Sequence, residues 1–174
     1  MSGSSWVVRA ATADEVAACT ALWVTAVATR DGVAESDAVR ARAAAKFAVP
    51  RVAVVVAVPV EGSDPGRAEG DALLGFALVT APGTGSADDP ADAAYLSLLA
   101  VSPAAQGRGL GRALLDEAVA AAGRSGHERC LLHALDDNEA ALRLYRSAGF
   151  RPVGPAFPHP LSGRATRSWV ATAA

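Results

Sequence analysis

Hydrophobic positions along the chain follow two patterns, dense apolar runs and stripes spaced by three or four residues. The dense runs are rich in Val, Leu and Ala and predict β-strands at residues 6–10, 51–58, 72–81, 94–101, 129–135, 150–153 and 165–171. The spaced stripes predict helices from residue 13 onward, at 36–48, at 109–124 and at 138–148. The stripe of the first helix consists of Val16, Cys19, Trp23, Ala26 and Val27.

The order of these elements predicts the fold class. Polar loops at 61–71 and 82–92 are typical of hairpins, whereas the later strands are separated by helices, which is typical of crossover connections. We therefore expect a single α/β domain over residues 1–174, with a mixed, mostly antiparallel central sheet of six or seven strands flanked by about four helices. The proline-rich segment 154–163 is predicted to be a fixed loop.

Composition and charge exclude several functions. The 174 residues carry a formal charge of −2, so there is no basic excess for binding a nucleic acid. The longest apolar run, 52–60, is far shorter than the roughly 20 residues of a membrane-spanning helix. Because the first residues lack a signal pattern, we expect a cytoplasmic protein. The two cysteines, Cys19 and Cys130, have no metal-ligand spacing and are predicted to be reduced core thiols, and no metal is expected.

The most informative segment, 101–115, passes from a buried strand through a glycine-rich turn into an amphipathic helix. Its glycines allow positive φ angles and let an anion approach the main-chain N–H groups at the positive end of a helix dipole. This geometry suits a pyrophosphate. Arg108 and Arg112 are candidates for charge-assisted bonds at the rim of that site. The three glycines are Gly107, Gly109 and Gly111.

Other phosphate motifs do not fit this turn. A dinucleotide fingerprint needs a third glycine where Arg112 or Leu114 stands, and a nucleotide P-loop needs a Gly-Lys-Ser/Thr run that is absent. A plain glycine-rich turn with no ligand is the remaining alternative.

At these residues the chain resembles the GNAT superfamily of N-acetyltransferases. The family signature, Gln/Arg-x-x-Gly-x-Gly/Ala between the fourth strand and the next helix, reads here as Gln106, Gly109 and Gly111. The segment 138–150, which ends in Tyr145, a spacer and Gly149-Phe150, is similar to a second motif of the family. The resemblance in element order covers residues 6–171 and implies a sheet that splays between its fourth and fifth strands.

The resemblance also implies an acetyl-CoA site and an acceptor amine, either a small molecule or a peptide N-terminus. Main-chain groups of the fourth strand would pair with the pantetheine arm, amides of the turn would hold the pyrophosphate, and Tyr145 would protonate the departing thiolate as a general acid. Family members commonly pair through a sheet edge or the C-terminal strands, which is compatible with a homodimer. The implied cofactor-binding residues are Leu99, Ala100, Val101, Gln106, Gly107, Arg108, Gly109, Leu110, Gly111, Arg112, Asn138, Ala141 and Tyr145.

The chain departs from the family in its general base, because no glutamate lies on the fourth strand. Strand alternation predicts that Tyr95 and Ser97 share the face of Leu99 and Val101, and our hypothesis is that they hold a water that carries the amine's proton outward. His133 is a general-base candidate by its chemistry, but a lone histidine in an apolar run is more often structural.

Acidic residues near the first helices are weak candidates for binding a cationic acceptor. They are Asp31, Glu35 and Asp37, and capping a helix end in water is the commoner use of such residues. The favoured function is direct acetyl transfer to a primary amine without a covalent enzyme intermediate. The alternative is a non-catalytic CoA-binding sensor or partner module, which the missing glutamate supports and the presence of Asn138 and Tyr145 opposes.

Overall fold

A seven-stranded sheet forms the centre of the computed structural model, which describes residues 5–60 and 73–173. The strands are β1 (Trp6–Ala10), β2 (Arg51–Pro59), β3 (Gly75–Thr80), β4 (Ala93–Val101), β5 (Arg129–Leu135), β6 (Arg151–Pro158) and β7 (Ala165–Thr172). Their order is β1-β2-β3-β4-β5-β7-β6, and every neighbouring pair is antiparallel except β4 and β5. The predicted α/β class and mostly antiparallel sheet are confirmed. The predicted loop at 61–71 lies outside the described residues.

Four α-helices in the described residues cover both faces of the sheet. They are α1 (Val16–Asp31), α2 (Asp37–Ala48), α3 (Leu110–Arg124) and α4 (Glu139–Ser147). On one face Cys19 of α1 and Phe47 of α2 pack in a core with Phe76 and Leu98 of the sheet. On the other face α3 buries Leu114 and its apolar neighbours against the sheet. No helix in the described part of the chain is long and apolar enough to cross a membrane.

The sheet opens between β4 and β5, as the family resemblance implies. The two strands pair only from Ala93 and Arg129 to Leu96 and Leu132. Beyond that point β5 stays paired with β7, while β4 continues to Val101 with β3 as its partner on one side. The main chain of β4 from residue 97 to 101 therefore faces a gap, which positions a cleft.

A β-bulge in β4 changes the faces of its residues. Leu78 pairs with Leu98 and Val79 with Leu96, which leaves Ser97 as the extra residue. Because one residue is inserted, odd-numbered residues of β4 lie on one face of the sheet before the bulge and on the other face after it.

The predicted grouping of Tyr95 and Ser97 with Leu99 and Val101 is therefore wrong. Leu99 and Val101 pack against the core on the α3 face. Tyr95 and Ser97 instead face α2, where Lys46 contacts both of them.

The segment 154–163 is also different from its prediction. Strand β6 continues to Pro158 and pairs with β7 at Phe157 and Thr166, so only residues 159–164 form the loop. Strand β6 is at the sheet edge, where a proline costs no ladder hydrogen bond on its free side. An irregular register between Val153 and Phe157 accommodates the extra residues.

Candidate active site

The glycine-rich turn presents free main-chain N–H groups to open space. Gly107 and Gly109 have φ angles of 77° and 80°, and no heavy atom lies within 4 Å of a Cβ built at either. Gly109 caps α3 without a side-chain cap, and the first helical hydrogen bond runs from the N–H of Ala113 to the oxygen of Gly109, at 3.1 Å. The N–H groups between them have no partner inside the helix. This arrangement fits a pyrophosphate.

The side chains of the two arginines of the turn lie outside the lining of the cleft described below. The Arg112 guanidinium bonds Asp116 at 2.8 Å and donates to the main-chain oxygen of Ser147 at 3.1 Å, so it ties α3 to α4. Arg112 does not line the cleft, and its main-chain N–H, in the first turn of α3, has no partner inside the helix. Arg108 is exposed and likewise lies outside the cleft lining.

A cleft of about 1010 Å³ runs from this turn along the open side of β4 to α4. It is lined by eleven of the thirteen predicted cofactor residues, all except Arg108 and Arg112. Tyr95, Ser97 and Asp31 line it as well. The structure thus brings both predicted motifs and the candidate proton-transfer groups to one continuous surface.

Asn138 and Tyr145 reach this cleft from α4. Asn138 is the N-cap of α4, and its Oδ1 accepts from the N–H of Ala141 at 3.3 Å. Tyr145 is half-buried, and its ring lies 6.0 Å from that of Phe150. Burial raises the pKa of its hydroxyl to about 12, while the charge of Arg30 opposes the rise. That hydroxyl forms no hydrogen bond with a residue within 5–60 or 73–173, and Tyr145 is one of the residues that line the cleft described above.

A hydrogen-bonded chain that sequence reasoning missed joins Tyr95 to two further residues. The Tyr95 hydroxyl lies 3.3 Å from Nδ1 of His133, and Nε2 of His133 lies 2.9 Å from Oδ1 of Asp89. A carboxylate can only accept, so Nε2 of His133 donates to Asp89, and in the neutral imidazole this leaves Nδ1 to accept from Tyr95. Burial, followed by the charge of Asp89, holds the pKa of Tyr95 above its usual range. His133 and Asp89 are only 12% and 7% exposed.

Local packing fixes this chain. A Cβ at Gly85 would lie 2.6 Å from Oδ2 of Asp89 and 2.8 Å from the Tyr95 ring, so only glycine leaves room for both. The N–H of Ser86 donates to the same Asp89 oxygen at 2.8 Å. Asp89 and His133 are 44 residues apart, and the only signal in the sequence is a lone polar residue in an apolar strand.

Lys46 is a second group that the sequence did not indicate. It donates from Nζ to Oγ of Ser97 at 3.1 Å and lies 5.3 Å from the centre of the Tyr95 ring. Burial, followed by the charge of Arg42, lowers its pKa to about 8. Ser97 is therefore already engaged by a cation on the cleft wall.

The acidic candidates are not equivalent. Asp31 lines the cleft, but Arg30 holds it at 2.8 Å and Arg164 lies 3.9 Å away. Glu35 lies outside the lining and accepts from the Thr25 hydroxyl at 2.6 Å. Asp37 opens α2 beside its N-cap and is also outside the lining.

Neither cysteine is available as a nucleophile. Cys19 and Cys130 are both fully buried, and burial raises the pKa of each thiol to about 12. A thiol needs its thiolate form to attack a carbonyl, so these side chains belong to the core.

Comparisons with known proteins agree with this geometry. The family model described as "Acetyltransferase (GNAT) family" matches residues 60–150, just over half of the chain. A mycothiol acetyltransferase of Geodermatophilus obscurus is 40% identical over 47% of this chain and 26% of its own length. The N-alpha-acetyltransferase RimI of Mycobacterium tuberculosis is 40% identical over 51% of this chain and 52% of its own. The chain thus spans about a quarter to a half of these relatives.

Solved structures show the same fold across nearly the whole chain. The protein yncA of Salmonella typhimurium, solved with its cofactor acetyl-CoA, has a TM-score of 0.69 at 22% identity and covers 98% of this chain and 95% of its own. With the glycine-rich turn, the splayed sheet and the matching family model, this chain belongs to the GNAT family of acetyltransferases.

Proposed function

We propose that this chain transfers an acetyl group from acetyl-CoA to a primary amine by direct attack. The observation that carries the proposal is the single cleft that joins the free amides of the turn, the unpaired edge of β4 and the hydroxyl of Tyr145. Relatives named mycothiol acetyltransferase and N-alpha-acetyltransferase RimI support acetyl transfer, and the second of these names supports an α-amine as the acceptor.

Acetyl-CoA supplies the acetyl group as an activated thioester. Amides of the turn, from Gln106 to Arg112, would bind its pyrophosphate, and the main chain at Leu99 and Val101 would pair with its pantetheine arm. Ala100, Asn138 and Ala141 complete this wall. The buried cysteines leave no thiolate for a covalent route.

The chain's own groups can move the protons. Tyr95 accepts a proton from the acceptor's ammonium group as its own proton passes to Nδ1 of His133, and Asp89 stabilises the resulting imidazolium. Ser97 orients a water beside this path, because its oxygen accepts from Lys46 and its hydrogen remains free to donate.

Tyr145 completes the reaction. The neutral amine forms the C–N bond while the C–S bond breaks, and Tyr145 gives its proton to the departing sulfur. The nitrogen loses two protons in all: the first passes to His133 and then to solvent, and the second, lost as the amide forms, returns Tyr145 to its neutral form after it has protonated the sulfur. A tyrosine whose pKa is raised still protonates a thiolate when the C–S bond breaks in a dry site.

Titration calorimetry with acetyl-CoA, followed by a thiol-release assay with a panel of amines, tests the proposal. Gly109→Trp should abolish binding, because its side chain would occupy the approach to the free amides. Gly126→Trp is the matched control: its φ is 88°, and it too has no heavy atom within 4 Å of a built Cβ. Binding with no thiol release for any amine would favour the sensor alternative, and no binding by the wild type would refute both.

A further inference from the structure

The acceptor side of the cleft is strongly cationic although the whole chain has a formal charge of −2. Four basic side chains line it, whereas Asp31 is the only carboxylate among the described lining residues. The four are Arg30 of α1, Arg42 and Lys46 of α2, and Arg164 before β7.

All four cations influence one residue of the cleft wall, His159. After burial, the charges of Arg42, Arg30, Lys46 and Arg164 each contribute to lowering the pKa of His159. The His159 ring is fixed, because its Nδ1 accepts from the N–H groups of Leu161 and Ser162 at 3.3 Å. Its Nε2 therefore carries a hydrogen, which adds a neutral donor to the group.

Two of the four cations have no counter-charge among the residues that the structure describes. Arg30 and Arg164 pair with Asp31, and Arg164 also bonds Asp137 at 2.7 Å. Half-buried Arg42 forms no ion pair or hydrogen bond with any residue of the described ranges. Lys46 donates only to the neutral Ser97 hydroxyl. Holding two neighbouring cations in a cleft without a counter-charge costs folding free energy unless an anion binds beside them.

Their position favours the acceptor over the phosphates of the cosubstrate. Lys46 contacts Ser97 and Tyr95 at the point where β4 leaves β5, and Arg30 acts on Tyr145. These are the proposed proton-transfer groups. The free amides that fit a pyrophosphate lie at the start of α3, a different element of the fold.

We propose that the acceptor carries an oxyanion, a carboxylate or a phosphate, in addition to its amine, and that Arg42 and Lys46 bind it with His159 as a further donor. The inference rests on the proposed acetyl transfer and names its substrate class. Arg30 and Arg164, which pair with Asp31 and Asp137, position the wall, whereas the net charge of Arg42 and Lys46 selects against acceptors with a second cation.

Matched acceptor pairs test this inference. One pair is an amino acid and its amide, and the other is phosphoethanolamine and ethanolamine. The wild type should prefer the anionic member of at least one pair by roughly 10- to 100-fold in kcat/KM, the value expected for charge-assisted hydrogen bonds. The pair with the larger preference distinguishes a carboxylate from a phosphate.

Variants locate the effect. Arg42→Gln should abolish most of the preference and raise KM for the acceptor, with KM for acetyl-CoA unchanged, while Arg42→Lys should restore part of it. Arg40→Gln is the control on the same helix, since Arg40 lies outside the cleft and pairs with Glu35. All variants are first checked for native melting.

Three results would overturn the inference. If thiol is released and the uncharged member of each pair is used as well as the anionic member or better, the inference is refuted and the proposed function is left intact. A rise in KM for acetyl-CoA in Arg42→Gln would assign the cation to a cosubstrate phosphate instead. Acetyl-CoA binding without thiol release for any amine would refute the proposed function, and this inference with it.

Discussion

The two walls of the cleft present different chemical groups. The wall formed by β4 and the start of α3 presents main-chain groups: a glycine turn with positive φ, a helix N-terminus and an unpaired strand edge. The opposite wall, formed by α1, α2 and the loop before β7, presents charged side chains. We expect the main-chain wall to bind the cosubstrate of the proposed function, whereas a side-chain wall can be changed one residue at a time.

Packing supports this contrast. The α3 helix is held by fully buried Leu114 and Leu115, and a Cβ at Gly111 would meet the Leu144 side chain at 3.5 Å. The side-chain wall depends instead on polar contacts such as the one from Lys46 to Ser97. Changes on the first wall should therefore affect acetyl-CoA binding, and changes on the second should affect the acceptor and its proton.

The largest expected effect comes from Tyr145, where the two walls meet. Tyr145→Phe should lower kcat by roughly 10²- to 10⁴-fold, because it removes the proton donor to the sulfur. Acetyl-CoA affinity and melting temperature should stay unchanged, since the hydroxyl bonds no residue of the described chain. Steady-state kinetics with calorimetry measures both. An unchanged kcat would make Tyr145 a core aromatic only.

A smaller loss is expected from His133→Gln, roughly 10- to 100-fold in kcat/KM for the acceptor. The loss should diminish at alkaline pH, where the amine reaches the site already deprotonated, and the Tyr145→Phe defect should not be rescued in this way. Tyr95→Phe should give a similar profile, and the double variant should be no worse than either single one.

His127→Gln is the control for that experiment, because His127 lies between α3 and β5 and outside the cleft lining. A pH-independent loss in His133→Gln would assign His133 a structural role.

The same contrast explains how far the sequence could predict the molecule. The main-chain wall depends on local patterns, so the helix at 109–124 and the glycine turn were predicted from consecutive residues, and α3 begins at Leu110 with Gly109 as its cap. Periodicity likewise gave the mixed sheet. The roles predicted for individual site residues remain predictions.

The side-chain wall depends on contacts between distant residues. Lys46 and Ser97 are 51 residues apart, and Asp89 and His133 are 44 apart, so no local pattern joins them. The bulge at Ser97 shows the same limit, because a single inserted residue reversed a face assignment that simple alternation had made.

The buried Lys46 should lower the free energy of unfolding at neutral pH. Its pKa falls from 10.5 to about 8 on folding, so between these values the unfolded state binds more protons and stability rises with pH. Below about pH 8 the folded state keeps the full cost of a buried ammonium.

Lys46→Met should therefore be more stable than the wild type at pH 7, and the difference should shrink by pH 10.5. Urea unfolding at both values measures it, with Arg40→Met as the exposed control. A variant less stable at pH 7 would contradict this.

The smallest expected effect tests whether the arginine side chains of the glycine-rich turn take part in phosphate binding or only its main-chain groups do. Arg112→Ala removes an exposed ion pair with Asp116 and a bond to Ser147, and it should cost less than about 1 kcal/mol of unfolding free energy. Acetyl-CoA affinity should not change, because the main-chain N–H of residue 112 is retained.

Arg108→Ala is the comparison, since that exposed guanidinium has no carboxylate partner in the described chain. Calorimetry at low salt should show a several-fold loss for Arg108→Ala alone. Equal losses in both variants would mean that the Arg112 guanidinium leaves Asp116 to reach the phosphate.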